Sequence, residues 1–422
     1  MKKRISDVKG HGKGNDSVQK AREVSEEDLA AMGRVAMIQA LIPLGLMAVE
    51  EELAAEVERL AGKRYAHTGS TIKRWGSNRG SVFLGDQRVS VKVPRVRDAV
   101  AGREVGLESY QALRDPGVID NAVLGRVLNG ISARKYEKVA MMVPETFGIK
   151  KSSVSRRFVK AARNKLGELL ERDLSGHDIV AVFIDGKSFA ENSMILALGV
   201  TMEGDKVVLG FIESATENHK VVRDFINGLV DRGLRTDNEI LFVIDGSKGI
   251  RKGIKEVLGD KAVIQRCQWH KRENVVSYLE LRSQPVFRRK LQAAYEQETY
   301  EKAKRRLSSI ERELKLVNES AASSLMEGLE ETLTLHRLGM FKKLGTSFKT
   351  TNCIENLNRQ LGIYTGRVSH WRNSDQRRRW VATALLEIEP AMRKVKGYKY
   401  MMVLRSAMRR MSATAEKKSH AA

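Results

Sequence analysis

Two apolar runs in this chain end on the same pair of residues. AVFIDG closes on Asp185 and Gly186, and LFVIDG closes on Asp245 and Gly246. A short continuous apolar run bounded by turn signals reads as a buried strand, so each aspartate stands at a strand's carboxyl end. If the two strands are neighbours, the carboxylates share one edge of a sheet. Two unpaired carboxylates held together away from water repel each other. A divalent cation relieves that repulsion, and carboxylate oxygens suit a hard ion such as magnesium or manganese. The glycine after each aspartate removes side-chain bulk where an ion or a phosphate would approach. The plainer alternative is that each aspartate caps the loop or helix that follows it.

A site for two cations needs a further carboxylate, and TTNCIENLNRQL offers Glu355. The spacing of Ile354, Leu357 and Leu361 predicts a short helix with one apolar stripe, and Thr350 or Thr351 could cap it. Glu355 lies at the edge of that stripe. Spacing alone leaves two readings open, a carboxylate half-buried for a purpose or one turned to solvent.

These side chains need elements to hold them. Strand patterns cover 179–185, 193–202 and 206–213, with EGD as the turn between the last two. A helix is predicted at about 220–232, a strand at 239–245, a helix at about 248–258 and a strand at 262–267. The order β-β-β-α-β-α-β implies a mixed sheet with helices on its faces. Ribonuclease-H-like nucleases and polynucleotide transferases use that order. Residues 271–345 are rich in Lys, Arg, Glu, Leu and Ala at helical spacing and read as an all-helical insertion. Residues 346–395 then complete the core with the Glu355 helix, and 396–422 form a basic C-terminal tail.

Ahead of the core, residues 1–25 read as a disordered basic tail. Region 26–118 combines helix with a small β-hairpin part. There Leu53, Val57 and Leu60 are spaced as a helix, and Val89, Val91 and Val93 alternate as a strand closed by Pro94. Region 119–175 reads as two helices joined by a Gly-bearing turn, a helix-turn-helix. Ser152 or Ser153 would cap the second helix, which exposes Ser155, Arg156 and Lys160, with Arg157 beside them. An ordinary helical hairpin with a solvated basic face has the same pattern.

The chain holds 422 residues, 75 Lys+Arg against 52 Asp+Glu, and a formal charge of +23. That excess favours a polyanionic partner, nucleic acid first and an anionic membrane surface second. Two cysteines, Cys267 and Cys353, exclude a disulfide framework and an all-cysteine zinc site. The basic start has no apolar core behind it, so it is not a secretory signal. The longest apolar stretch, near 36–49, contains Pro43 and is too short to span a bilayer. The expectation is a soluble protein of a reducing, cytoplasmic compartment.

FIDGKSF, LFVIDGSKGI, QRCQWHKRENV and TTNCIENLNRQLG, in that order, resemble the bacterial Mutator-type insertion-sequence transposases. AAEVERLAGKRYAH and VKVPRVRD resemble the family's DNA-binding region. The resemblance implies a ribonuclease-H-like α/β core interrupted by a helical insertion, with Asp185, Asp245 and Glu355 as an Asp-Asp-Glu catalytic and metal-binding triad. It implies two divalent cations, Mg or Mn, and double-stranded DNA as partner, both terminal inverted repeats and target. It also implies no membrane role, a homodimer on DNA, and a bacterial protein bound to the nucleoid when on DNA. A non-catalytic DNA-binding regulator derived from a transposase is the alternative.

Cys267 and His270 form a C-x-x-H pair at the active-site edge. A zinc site would need two more ligands, and Cys353 is the only other cysteine. His270 would lie either near the scissile phosphate or buried and hydrogen-bonded. Arg266, Lys271 and Arg272 are candidate phosphate contacts, or else a solvated helix start. Among the arginines of SHWRNSDQRRRW, Trp371 is a candidate to stack on an unpaired base, with Arg372 beside it, and Trp380 reads as core.

Overall fold

The computed structural model describes residues 45–65, 71–84, 87–114, 124–125, 127–128, 151–189, 191–214 and 218–419. The expected tail at 1–25 and most of the first helix and turn of the helix-turn-helix lie outside these residues. The chain divides into two compact units, one from Met1–Ile119 and Lys138–Ile149, the other from Asp120–Glu137 and Lys150–Ala422. Among the described residues, no helix is long and apolar enough to cross a membrane.

In the first unit, helix α1 (residues 45–61) is followed by strands β1 (Ile72–Leu84), β2 (Gln87–Asp98) and β3 (Glu104–Val105) and helix α2 (Glu108–Leu113). Val49, Leu53 and Val57 recur every fourth residue along α1 and bury one face against Val82, Val91, Val93 and Val96 of the hairpin. The strand expected to close at Pro94 runs on to Asp98. Proline is tolerated there because β1 shifts register between Arg74 and Ser77, opposite it. Gly76 at that bulge has φ +93, and a ladder hydrogen bond that proline cannot donate is not required at a bulge.

The second unit opens with helix α3 (Lys151–Leu170). Ser152 and Ser153 fall inside it rather than capping it. Val154, Phe158, Ala161, Ala162 and Leu169 form its buried stripe, and the Phe158 ring packs 5.0 Å from Trp380. Strands β4 (Ile179–Phe189), β5 (Asn192–Thr201) and β6 (Lys206–Ser214) follow, then helix α4 (His219–Asp231), strand β7 (Ile240–Ile244), helix α5 (Lys248–Leu258) and strand β8 (Ala262–Arg266). They make one five-stranded sheet in the order β6-β5-β4-β7-β8. β4, β5 and β6 run antiparallel, while β4, β7 and β8 run parallel. The element order expected from the apolar runs is the one observed.

Helices α4 and α5 cover one face of the sheet through Val222, Phe225, Ile226, Ile250 and Ile254, packed with Val182, Ile184 and Phe242. Residues of α3 and of helices nearer the C-terminus cover the other, with Phe183 stacked on Phe348 at 5.6 Å. A strand buried on both faces has no reason to alternate, so β4 and β7 read as unbroken apolar runs.

After β8 come α6 (Gln268–Val276), α7 (Gln284–Tyr295), α8 (Tyr300–Val317) and α9 (Glu319–Met326), which share a core of their own that includes Leu291, Leu307, Leu314 and Leu325. Two short helices, α10 (Leu329–Thr332) and α11 (Thr334–Arg337), lie along β8. There Thr334 Oγ1 donates to the Ile264 carbonyl, and buried Gln265 bonds the Thr332 carbonyl and the Leu335 amide. These contacts cover a sheet edge that would otherwise stand open. Helices α12 (Phe341–Phe348), α13 (Asn352–Thr365), α14 (Ser374–Ile388) and α15 (Met401–Ser419) complete the unit. The basic C-terminal segment is thus largely helical. Met401, Leu404, Ala407 and Met408 are buried in the main core, and Arg405 forms a two-pronged bond with Asp178 at 2.7 Å per prong.

Candidate active site at the β4–β7 edge

Ile184 of β4 pairs in parallel register with Ile244 of β7. The next residue on each chain is therefore Asp185 and Asp245, side by side across a spacing of about 4.8 Å. β7 ends at Ile244, whereas β4 continues through Asp185 to Phe189 with β5 as its partner. The first aspartate thus sits where β4 outruns its neighbour, not at the strand's last residue. Asp245 opens the turn into α5. Its Oδ1 accepts the Ser247 amide at 2.9 Å, and the Ser247 hydroxyl accepts the Ile250 amide to cap the helix.

Gly246 in this turn has φ +115, and a Cβ there would meet Arg266 Nε at 2.4 Å. A side chain is excluded on both grounds. Arg266 is 7% exposed and ties the turn down, donating to the Gly246 carbonyl at 2.7 Å and the Glu327 carbonyl at 2.9 Å.

Helix α13 brings the third carboxylate. Its stripe of Ile354, Leu357 and Leu361 is buried as the spacing requires. Asn358, one turn beyond Glu355 and on the same face, donates its Nδ2 hydrogen to Asp185 Oδ2 at 2.8 Å. Lys187, two residues past Asp185, donates to the Asn358 carbonyl at 2.9 Å. Glu355 is therefore carried to the edge that holds the two aspartates, at the half-buried position that spacing alone left open. Asp185 registers the convergence. Burial, then the charge of Asp245, drives its carboxyl up to about 7; Glu355 adds to the rise, while His270 and the Asn358 bond oppose it. The buried Asn358 Oδ1 has no partner among the described residues.

Cys267, His270 and Thr351 form the rim. The Cys267 thiol is fully buried, caps α6 by accepting the His270 amide, and lies 3.5 Å from the Thr351 hydroxyl. Thr351 stands just before α13, but its hydroxyl donates to Glu355 Oε1 one turn on rather than capping the helix. His270 Nδ1 lies 3.3 Å from the same Thr351 hydroxyl. His270 Nε2 lies 3.9 Å from Glu355 Oε1. Its interaction with Cys267, opposed by burial and helped by the Cys267, Glu355 and Asp245 charges, raises its pKa to about 9. Burial pushes the Cys267 thiol up, but the bonds from His270 and Thr351 outweigh it and hold the thiol below its ordinary value.

Ligand atoms of Cys267, His270 and Glu355 all lie within 4.8 Å of one another. Cys353 is not among them, and its thiol turns to the Ser347 carbonyl. His270 is half-buried and hydrogen-bonded.

Three expectations are corrected. Arg266 and Lys271 are not solvent-facing phosphate contacts, because both heads are spent on backbone carbonyls. Lys271 is 2% exposed, donates to the Ser324 and Glu327 carbonyls at 2.6 Å each, and burial lowers its pKa to about 8. Trp371 is half-buried, with its ring 5.1 Å from Phe189 and 6.3 Å from Trp380, so it packs on the core rather than standing free to stack. Trp380 is core, as read. Arg272 is half-buried and bonds Glu273 and Gln292.

Ser155, Arg156 and Lys160 are exposed on α3, and Arg157 is half-buried. Ser155 and Arg372 line one groove of about 540 Å³ together with His370, Asn373 and Arg379. Sequence reasoning missed Asn358, Lys187 and Trp269. The Trp269 ring is 46% exposed and stands edge-on to His270 at 4.9 Å. Asn358 was findable, because a polar residue one turn from Glu355 on a largely buried helix needs a partner.

A mixed sheet flanked by helices on both faces, with Asp185 within β4 and Asp245 just after the neighbouring β7, defines a mixed α/β protein with an acidic edge site. Residues 19–393 match the Mutator family of transposases, and the chain belongs to that family of DNA-cutting and DNA-joining enzymes. It is 24% identical over 355 residues to the transposase for insertion sequence element IS256 in transposon Tn4001 of Staphylococcus aureus, covering 79% of this chain and 84% of that one. Against the transposase for IS406 of Burkholderia multivorans (strain ATCC 17616 / 249) it is 25% identical over 364 residues, 80% and 87% of the two chains. Against the transposase for IS905 of Lactococcus lactis subsp. lactis (strain IL1403) the identity is 27% over 232 residues, 53% and 57% of the two.

Proposed function

We propose that this chain is an Asp-Asp-Glu transposase on a ribonuclease-H-like core interrupted by a helical insertion, residues 271–345. On this reading it binds the terminal inverted repeats of an insertion sequence as a homodimer, cleaves their strands and joins them to target DNA. Two observations support the reading: Asp185 and Asp245 each follow the paired residues Ile184 and Ile244 of neighbouring strands, and Asn358, one turn beyond Glu355, bonds Asp185. The residues fit divalent cations. The carboxylates are all hard oxygen donors, burial and then the charge of Asp245 push Asp185 up to about 7, and the buried Oδ1 of Asn358, whose Nδ2 bonds Asp185, has no partner among the described residues. Asp185, Asp245 and Glu355 would hold two ions, Mg or Mn, which supply nucleophile activation and charge neutralisation at the scissile phosphate.

The chain's own groups do the rest. Asn358 and the Asp185 backbone, paired with β5, orient one carboxylate, and the Ser247 amide orients Asp245. Thr351, itself oriented by His270, holds Glu355. In-line attack by water or a 3′ hydroxyl needs no covalent protein–DNA intermediate, so no serine or tyrosine nucleophile is required. Ser155, Arg156, Arg157, Lys160 and Arg372 are the DNA contacts of this reading.

The test is incubation with supercoiled DNA bearing candidate terminal repeats in magnesium or manganese. Joined products support the transposase. Cleavage without joining makes the protein a nuclease, and binding alone makes it a regulator; either outcome overturns the proposal.

A further inference from the structure

Helices α7 and α8 carry a basic groove that the site at the sheet edge does not use. Lys290, Lys302, Arg305, Arg306 and Arg312 line about 620 Å³ of open space, with Glu313 as the one acid in the lining. The α8 residues recur at intervals of three, one and six, so they share one face of the helix. Ala303, Leu307, Ile310 and Leu314 hold the opposite face in the core. Elsewhere on the same helix the cations are neutralised. Lys304 pairs with Glu330 at 2.7 Å and Lys315 with Glu311 at 2.8 Å; within the groove, Lys290 pairs with Glu313. Lys302, Arg305, Arg306 and Arg312 are all exposed and have no ion pair among the described residues. Like charges three and four apart on a helix destabilise it, so a face left this way calls for an anionic occupant.

We propose that this groove binds the phosphate backbone of duplex DNA, as a contact surface additional to those at α3. From Lys302 to Arg312 the helix rises about 15 Å, the length of about four base-pair steps at 3.4 Å each. Arginines in the majority suit forked contact with phosphate oxygens. Cations strung along one helix face match the run of phosphates, a contact that carries no sequence information and so fits target or flanking DNA. The inference rests on the transposase reading for its partner.

The test uses the full chain carrying Lys302→Gln, Arg305→Gln, Arg306→Gln and Arg312→Gln together, and linear duplex DNA without terminal repeats as probe. Binding is measured across a salt series. Loss of four phosphate contacts lowers the slope of log affinity against log salt by about 3–4 and weakens binding roughly tenfold or more at 0.1 M salt. A second variant that keeps each charge, with lysine at the three arginine positions, retains most of the slope. An unchanged slope and affinity in the glutamine variant overturns the proposal, as does loss of self-association with DNA binding intact, which would assign the groove to another copy of the chain. Failure of the wild-type chain to bind DNA at all would instead remove the transposase reading itself.

Discussion

Asp185→Asn tests the carboxylate edge without any DNA. The Asp185 side chain is buried, at 9% exposed, and its carboxyl is pushed from an ordinary 3.8 up to about 7, chiefly by burial and next by Asp245. An acid whose pKa is higher in the fold than in the unfolded chain favours the fold most when protonated. That advantage is complete below pH 3.8 and is lost as the pH rises to about 7. At about 1.4 kcal/mol per pH unit the loss comes to about 4 kcal/mol. Asparagine keeps the shape and the partner for Asn358 but cannot ionise, so the variant escapes the loss.

In buffer with a chelator, Asp185→Asn is expected to be more stable than wild type at pH 8, with the margin shrinking by about 3 kcal/mol at pH 5. Denaturant unfolding followed by fluorescence reads this, because Trp269, Trp371 and Trp380 all lie in the unit that carries the sheet. Comparing the two proteins at each pH cancels the other titrating groups. Adding manganese at pH 8 should stabilise wild type and not the variant, while strand cleavage is lost in the variant and DNA binding is kept. A margin that does not change with pH, or a wild type more stable at pH 8 without metal, would refute the argument that three carboxylates crowd this edge.

Asn358→Ala removes the donor to Asp185 and should slow single-turnover cleavage roughly 10–100-fold with DNA affinity unchanged; cleavage at the wild-type rate would show the bond to be idle. Arg377→Ala leaves the Glu213 carboxylate, 6% exposed in its pair with Arg377, buried without its cation. A loss of about 3–5 kcal/mol is expected in denaturant titration at pH 7. Burial raises the Glu213 pKa, but bonds from Ser374, Asn192 and Arg377 outweigh it and hold the net value below 4.5. Its contribution is therefore present above pH 4.5 and fades as the pH falls further, so the gap between wild type and variant should narrow in acid. Gly246→Ala meets both the φ of +115 and the Arg266 guanidinium. It should cost about 1–3 kcal/mol and reduce cleavage by displacing Asp245; unimpaired cleavage would show that the turn does not position that carboxylate.

Much of the sheet was legible in the sequence because strands buried on both faces are unbroken apolar runs. Most of their boundaries fell within a residue or two, but β4 runs four residues past Asp185 to Phe189, where β5 still pairs with it. The stripe of α13 was equally clear. The direction of the Glu355 side chain was not, because it depends on Asn358 meeting Asp185, 173 residues away in the chain. Long-range partners also decided the cations. Arg266 and Lys271 look in sequence like any basic helix start, yet carbonyls at Gly246, Ser324 and Glu327 claim them. Trp371 looked free among arginines, and only the fold put Phe189 and Trp380 against it.

The amino-acid sequence by itself determined where the strands of the main sheet lie, that an anionic partner is favoured, and which carboxylates end apolar runs, since hydrophobic periodicity and charge are local properties. Tertiary structure alone decided which carboxylates meet, which cations remain available to an anion and which aromatic stands exposed beside the site. Those outcomes depend on distances between residues far apart in the chain, which local patterning does not encode.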